Sequence, residues 1–100
     1  MEKEVSYSII LSPQAIGDFN GIFDYIAQDS LAAAIKFTNE LKEQISNLSS
    51  FPYIGKEDKE NKCRCIIKKP YVIYYALNEE KKKAEILHIR HSARKPYIGI

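Results

Sequence analysis

Residues 12–48 read SPQAIGDFNGIFDYIAQDSLAAAIKFTNELKEQISNL, and this stretch carries the clearest structural pattern in the chain. Its first part has apolar side chains at the three- and four-residue spacing of one helix face. They are Ala15, Ile16, Phe19, Ile22, Phe23 and Ile26. Ser12 offers an acceptor to the first helical amides, and Pro13 presets the first helical residue. The pattern predicts a first helix that runs to about Gln28.

A second apolar stripe follows almost at once and predicts a second helix. It consists of Ala34, Phe37, Leu41, Ile45 and Leu48. Asp29 or Ser30 can cap this helix, which should end near the turn-forming residues 49–52. Because the connection between the two helices is so short, we expect them to pack antiparallel.

Acidic residues and glycines of the two helices fall mostly outside the apolar stripes. We expect the acidic ones to be solvated. They are Asp18, Asp24, Glu40 and Glu43. Gly17 and Gly21 lie one helical turn apart. Two interpretations stay open for this pair, namely tolerated surface glycines or a groove that something approaches closely.

The segments on both sides of the helices have the pattern of strands. In residues 5–11 apolar side chains alternate with Ser6 and Ser8. Three β-branched and aromatic runs follow Lys62, at residues 63–67, 71–77 and 84–91, and their short connections predict antiparallel pairing. The sequence therefore predicts one α+β domain over residues 1–100, of order β-α-α-β-β-β, with an antiparallel sheet packed against a helical hairpin.

Charge is distributed unevenly along the 100 residues. Up to Gly55 the chain holds three Lys or Arg against seven Asp or Glu, whereas Lys56 to Ile100 holds twelve against six. The basic back half suggests a polyanionic or acidic partner, and a solvated basic surface is the alternative. No apolar run is long enough for a membrane span, and residues 1–4 lack signal-peptide features, so we expect a cytoplasmic protein.

The cysteines and histidines give no indication of a metal site or a disulfide. Cys63 and Cys65 should point to one face of a strand, where bridging them strains disulfide geometry, so we expect reduced, half-buried thiols. His88 and His91 lie three apart and should face opposite ways. Nucleophile-elbow and phosphate-loop motifs are missing from the sequence. We therefore expect neither a metal nor a cofactor.

Basic side chains in the strand region are the remaining candidates for chemistry. Arg64 alternates with Cys63 and Cys65, so it should project from the opposite face, together with Lys62 and Ile66. A guanidinium in this place can bind phosphate oxygens bidentately, and a surface ion pair is the alternative. Lys62 would act there as a mobile point charge.

His91 is the candidate for proton transfer. It should share a strand face with Leu87 and Ile89, which makes a packed imidazole bonded to backbone one interpretation. In the other, His91 moves a proton in metal-independent RNA cleavage, while Arg64 and Arg94 stabilise the phosphorane.

Tyrosines accompany the basic residues of the back half. Tyr71 and Tyr75 share a strand face with Ile73 and should fill the core. The tyrosines left for stacking on unpaired bases are Tyr53, Tyr74 and Tyr97. The complete set of candidate partner-binding residues is Lys62, Arg64, His91, Arg94, Lys95 and Tyr97.

Several short motifs occur in a specific order along nearly the whole chain. The helical part contributes Asp24-Tyr25-Ile26-Ala27, Ala34-x-x-Phe37-x-x-x-Leu41 and Leu48-x-x-x-Pro52-x-x-Gly55. The strand part contributes Arg64, Pro70-Tyr71-x-Ile73-x-Tyr75 and Ile86-x-x-Ile89-x-His91-x-x-Arg94. Together they resemble the RelE/ParE superfamily of type II toxins, whose fold has the element order predicted above.

The resemblance implies a growth-inhibiting toxin that an acidic, flexible antitoxin holds inactive. One branch of the superfamily cuts messenger RNA in the ribosomal A site, and the ParE branch inhibits DNA gyrase. Arg64 matches a phosphate-binding strand position of the nuclease branch, and His91 with Arg94 matches its basic C-terminal segment. Ser92 after His91 departs from the nuclease pattern, and the ending His91-x-x-Arg94-x-Pro96 favours the ParE branch.

The leading hypothesis is therefore a ParE-like inhibitor of DNA gyrase that is not an enzyme. Its expected contact surfaces are the helical hairpin and residues 91–97. The alternative is a ribosome-dependent mRNA endoribonuclease, or mRNA interferase, with Arg64, His91 and Arg94 as catalytic residues. A binding module without toxicity is a third class that the residues leave open.

Overall fold

The structure is a computed structural model that describes residues 6–93. It shows a five-stranded sheet with a helical hairpin on one face. The strands are β1 (Ser8–Leu11), β2 (Lys56–Asp58), β3 (Cys63–Lys68), β4 (Tyr71–Asn78) and β5 (Lys83–His91). The helices are α1 (Pro13–Ala27) and α2 (Leu31–Ser46), and a 3₁₀ turn (Asn47–Ser49) follows α2. The predicted α+β class and the predicted helical hairpin are confirmed.

Both helices begin at the predicted capping residues. The Ser12 hydroxyl accepts a hydrogen bond of 3.0 Å from the Ala15 amide, and the Ser30 hydroxyl accepts one of 3.0 Å from the Ala33 amide. These bonds satisfy amides that have no partner within the first helical turn. The second helix ends two residues before Leu48, but the 3₁₀ turn keeps the Leu48 side chain fully buried.

The strand order is β1-β5-β4-β3-β2. Strands β3, β4 and β5 pair antiparallel as predicted, whereas β1 lies parallel to β5, so the sheet is mixed rather than wholly antiparallel. Strand β2 was not predicted, because its residues Lys56, Glu57 and Asp58 are all charged and show no alternation. A short charged strand at an edge resists pairing with other chains.

The core lies between the sheet and the hairpin. Its largest fully buried side chains are Tyr75, Leu41, Leu48, Ile73 and Ile86. Tyr71, Ile73 and Tyr75 alternate along β4 on the helix-facing side, which confirms the predicted core tyrosines. We call this side the helix-facing side of the sheet throughout.

A β-bulge in β5 changes which residues share a face. Tyr75 pairs with Ile86 and Tyr74 with His88, so Leu87 is an extra residue without a partner in the ladder. His91 and Ile89 do share the helix-facing side as predicted. The bulge shifts the alternation before it by one residue, so Ile86 also lies on this side and is fully buried.

Candidate functional site

The candidate residues lie at opposite ends of the sheet. Arg64 is in register with Tyr75 on β4, and His91 is in register with Tyr71. Both face the helix side, but they are four residues apart along β4 and on strands either side of it. These offsets correspond to roughly 14 Å along the strand and about 10 Å across it. Arg94, Lys95 and Tyr97 lie outside the described residues.

The Arg64 end of the sheet consists of Arg64, Tyr75 and the loop of residues 51–55. One guanidinium nitrogen of Arg64 donates to the Gly55 carbonyl at 2.7 Å and to the Tyr53 carbonyl at 3.3 Å. The guanidinium also lies over the Tyr53 ring, 5.0 Å from its centroid. The side chain therefore holds the loop against β3, through backbone carbonyls rather than through the ion pair considered above.

Tyr75 secures the same loop from within the core. Its hydroxyl donates to the Pro52 carbonyl at 2.8 Å and accepts from the Gly55 amide at 2.9 Å. Gly55 has no space for a side chain, because a Cβ there would lie 2.6 Å from the Tyr75 hydroxyl and 2.8 Å from the Cys65 carbonyl. Burial raises the pKa of Tyr75 and keeps its hydroxyl protonated.

Tyr53 lies on the solvent-exposed side of the Arg64 end. Its hydroxyl donates to the Glu79 carboxylate and lies 3.4 Å from the Tyr7 hydroxyl. The bond to Glu79 raises the pKa of Tyr53. Tyr53 is thus half exposed but already engaged through its ring and its hydroxyl. The hydroxyls of Tyr53 and Tyr75 and one nitrogen of Arg64 therefore have partners within the protein.

A shallow hollow of about 450 Å³ adjoins Arg64, and its charges balance. Three carboxylates and three cations line it, namely Glu57, Asp58 and Glu79 with Lys59, Lys62 and Arg64. Hydrogen bonds from Asn61 lower the pKa of Asp58, which stays ionised. Lys62 lies in the turn before β3 with a φ of 56°, so the prediction that it follows the strand alternation with Arg64 was wrong. The hollow is a poor site for a polyanion.

The His91 end of the sheet consists of Tyr71 and residues 89–91 of β5. The His91 ring stands edge-on to Tyr71, with centroids 5.2 Å apart. Its Nδ1 accepts a hydrogen bond of 3.0 Å from the Ala93 amide. Because this bond uses the Nδ1 lone pair, the proton of the neutral imidazole lies on Nε2. The observed arrangement is the packed, backbone-bonded imidazole.

A groove of about 400 Å³ runs between α1 and the His91 end, and we call it the α1–β5 groove. Gly17, Gly21 and Tyr25 line it from the helix, and residues 89–91 line it from the sheet. A Cβ added at either glycine would have no neighbour within 4 Å. Both interpretations of the glycine pair stay open, because the glycines line a groove but nothing in the structure approaches them closely.

Asp18 lies in this groove, and the expectation that it is solvated was wrong. Its carboxylate accepts a hydrogen bond of 3.0 Å from the Ile89 amide and contacts Nδ1 of His88 at 3.0 Å. The reason is that β1 ends at Leu11, so the Ile89 amide beyond it needs another acceptor. Glu40 is also paired, with Lys68 at 2.9 Å.

The two thiols are free, and Cys65 is half-buried as predicted, whereas Cys63 is buried. Burial raises the pKa of both, so neither is an activated nucleophile. Within residues 6–93, no three His, Cys, Asp or Glu side chains are grouped as metal ligands. None of the helices in this part of the chain has the length and apolar character of a membrane span.

Comparison with known proteins connects this fold to toxins. The family model of the ParE toxin of the type II toxin–antitoxin system parDE matches residues 9–96. The chromosomal ParDE system from P. aeruginosa contains a similar chain, with a TM-score of 0.74 and 19% identity, over 88% of this chain and 98% of that one. No curated protein sequence matches significantly.

Two solved toxin–antitoxin complexes of another kind share the fold. The intact E. coli RelBE complex contains a similar chain, with a TM-score of 0.67 and 16% identity, over 89% of this chain and 100% of that one. For the RelBE2 complex from Mycobacterium tuberculosis the TM-score is 0.60 and the identity 22%, over 87% of this chain and 99% of that one.

These observations define a type II toxin of the RelE/ParE superfamily. Within it, the family model covers most of the chain. The chain belongs to the ParE toxin family of type II toxin–antitoxin systems.

Proposed function

We propose that this toxin arrests growth in the cytoplasm by binding DNA gyrase, without catalysis, and that a cognate acidic antitoxin neutralises it. The observation that carries the non-catalytic part is the separation of Arg64 from His91. Groups that act on one phosphate must lie within hydrogen-bond reach of it. The two backbone positions are offset by roughly 14 Å along the strand. The Arg64 side chain contacts residues 53 and 55 and the His91 ring contacts Tyr71 and Ala93, so in this conformation the two do not meet that condition.

The chemistry of each residue supports the same proposal. The Nδ1 lone pair of His91 is used by the Ala93 amide, so the neutral ring presents an N–H at Nε2 rather than a base. One nitrogen of the Arg64 guanidinium donates hydrogen bonds to two backbone carbonyls, and three carboxylates line the hollow beside it. Both features count against the ribonuclease alternative.

The family of the chain and the basic charge of its second half support the proposal of an acidic antitoxin. The similar ParDE and RelBE structures are toxin–antitoxin systems or complexes. From Lys56 onward this chain holds twelve Lys or Arg against six Asp or Glu, so an acidic partner would be attracted to it.

One observation favours the ribonuclease alternative. Arg64 and Tyr53 stack on each other and are partly exposed, and such a pair can hold a nucleotide. In that case the catalytic residues would be Arg64, His91 and Arg94, and the target would be the ribosome with bound mRNA.

The test compares the two targets with one preparation of toxin. Purified toxin is titrated into a gyrase supercoiling assay and, in parallel, into ribosomes that translate a defined mRNA. We expect loss of supercoiling with intact mRNA, and addition of antitoxin should restore supercoiling. Intact supercoiling together with cleaved mRNA, and loss of that cleavage in His91→Ala, would refute the proposal.

A further inference from the structure

The two edges of the sheet differ in charge. Strand β2, at one edge, consists of Lys56, Glu57 and Asp58, and charged side chains of this kind deter pairing with another chain. Strand β1, at the other edge, reads SIIL, and the chain holds no charged residue from position 5 to position 17. An uncharged, apolar edge strand lacks this protection and can pair with a further strand.

The ladder between β1 and β5 fixes which backbone groups of β1 point outward. The amides of Ser8 and Ser12 donate to carbonyls in and next to β5. Because the direction of the backbone groups alternates along a strand, the amides and carbonyls of Ile9 and Leu11 point away from β5. Among the described residues, no strand lies on that side of β1.

Apolar side chains surround this free edge on both faces of the sheet. On the outer face, away from the helices, Ile10 is 41% exposed. On the helix-facing side, a hollow of about 210 Å³ opens beside β1. Its lining residues are Ile9, Leu11, Phe19, Lys42, Ile45 and Ser46. A strand added at this edge would therefore bury apolar surface on both of its faces.

Two features limit where an added strand can form hydrogen bonds with β1. The Tyr7 amide already donates to the Ser49 carbonyl, which closes the edge at one end. Pro13 has no amide, which closes it at the other end. The residues that can exchange two hydrogen bonds with a neighbour are therefore Ile9 and Leu11.

An identical strand fits these groups in one antiparallel register. Ile9 of each copy pairs with Leu11 of the other, so four hydrogen bonds form. Ile10 then lies opposite itself on the outer face, in a non-hydrogen-bonded pair with Cα atoms about 4.5 Å apart. The two hollows meet on the helix-facing side. Because a two-fold axis relates the copies, the pair is closed, and the charged β2 edges prevent further growth.

Charge favours a second copy over an acidic partner at this edge. Of the described residues that line the hollow, Lys42 is the only charged one, and its ammonium lies over the Phe19 ring, 5.8 Å from the centroid. The basic excess of the chain begins at Lys56, beyond this edge. An acidic strand would gain little attraction here, whereas two uncharged strands oppose no like charges.

We propose that two copies of this chain associate through β1, with Ile9 of each copy paired antiparallel to Leu11 of the other. A four-residue strand pair lies below the roughly 1,200 Å² of a stable interface, so we expect a weak dimer with a Kd of about 100 µM. The proposal does not depend on the target of the toxin. At toxin concentrations well below this Kd the gyrase assay measures the monomer, so the failure of either proposal leaves the other standing.

The first test measures the weight-average mass of the full-length toxin by sedimentation equilibrium. With a Kd of about 100 µM, the mass should rise from about 1.1 times the monomer mass at about 10 µM to about 1.8 times at about 1 mM. Ile10→Lys places two ammonium groups opposite each other at the two-fold axis and should abolish this rise.

Ile67→Lys is the matched control for this test. It makes the same change at a residue that is 64% exposed, on the inner strand β3, and it should associate like wild type. A wild-type toxin that stays monomeric at about 1 mM overturns the proposal. Equal loss of association in both variants also overturns it, because the effect would then not be specific to β1.

The second test uses the wild-type toxin and so does not depend on the folding of a variant. Amide exchange is measured by NMR at about 50 µM and about 1 mM. Exchange of the Ile9 and Leu11 amides should slow about threefold, because the monomer fraction falls from about 0.6 to about 0.2. The Ile10 amide points toward β5 and serves as the reference. Association without slower exchange at Ile9 and Leu11 would place the dimer elsewhere and overturns the proposal.

Two other occupants of this edge would give different results. If residues 94–100 of the same chain cover β1, the Ile9 and Leu11 amides exchange slowly at every concentration and the mass stays that of a monomer. If the antitoxin covers β1, Ile10→Lys weakens antitoxin binding by about tenfold or more, and the toxin alone does not associate. Either result overturns the proposal.

Discussion

The Arg64 end and the His91 end of the sheet carry similar residues but are built differently. At the Arg64 end, hydrogen bonds from Arg64 and Tyr75 hold the loop of residues 51–55, and Gly55 has no space for a side chain. At the His91 end, the strand edge extends past its neighbour, and the glycines across the groove leave open space.

This difference shows that a basic side chain on a strand does not by itself mark an anion site. Arg64 is one of the chain's best matches to a phosphate-binding position, yet one of its nitrogens donates to the backbone carbonyls of Tyr53 and Gly55. The functional surface is instead expected where backbone groups and space remain. Four predictions test this comparison, from the largest effect to the smallest.

Gly55→Ala should have the largest effect, because the new methyl group would overlap the Tyr75 hydroxyl and the Cys65 carbonyl. We expect it to lower the free energy of unfolding by about 3 kcal/mol, the upper end of the usual range for overpacking. Urea denaturation measures this. A loss below about 1 kcal/mol would mean that the Arg64 end is looser than its contacts indicate.

Arg64→Lys keeps the charge but loses the planar guanidinium, which lies over the Tyr53 ring and reaches two carbonyls through one nitrogen. We expect it to lower the free energy of unfolding by about 1 kcal/mol in the same assay. His91→Gln is the matched control at the other end. Equal stability of Arg64→Lys and wild type would contradict a structural role for Arg64.

Gly17→Ala should have the opposite sign to Gly55→Ala. Open space surrounds the new methyl group, and alanine is the better helix former. The free energy of unfolding should rise by up to about 1 kcal/mol, observed as a higher melting temperature. A destabilised Gly17→Ala protein would show that the groove is filled in solution.

Lys68→Met should have the smallest effect, because the ion pair from Lys68 to Glu40 is solvent-exposed. The hydrogen bond and charge of Lys68 lower the pKa of Glu40 from its ordinary value of 4.5. The ion pair therefore stabilises the fold at pH values above 4.5. Its contribution is lost as the pH falls through the lowered pKa of Glu40. Melting temperatures of wild type and variant should differ slightly at neutral pH and converge in acid. A difference that grows in acid would contradict this assignment.

The sequence predicted the parts of the fold that depend on local pattern. Apolar spacing and the caps at Ser12 and Ser30 lie within single helices, so the hairpin was predictable. Strand β2 was not, since Lys56, Glu57 and Asp58 form a strand only because β3 offers them a ladder. The parallel direction of β1 depends on the path of the whole hairpin.

The candidate site was less predictable, because its contacts join distant parts of the chain. Asp18 reaches Ile89 across 71 positions, and its only sequence signal is its place on α1 beside the two glycines. The role of Arg64 depends on where the loop of residues 51–55 folds, and Gly55 in that loop was the available signal for a close approach. The bulge at Leu87 also moved side chains between faces.

The most direct test measures the proposed inhibition of gyrase by Arg64→Gln, per folded molecule, at a temperature where circular dichroism shows the variant to be native. We expect the half-inhibitory concentration to stay within about twofold of wild type, since Arg64 stabilises the loop and does not touch the target. A fully folded Arg64→Gln protein that is about tenfold or more weaker would contradict the structural role of Arg64.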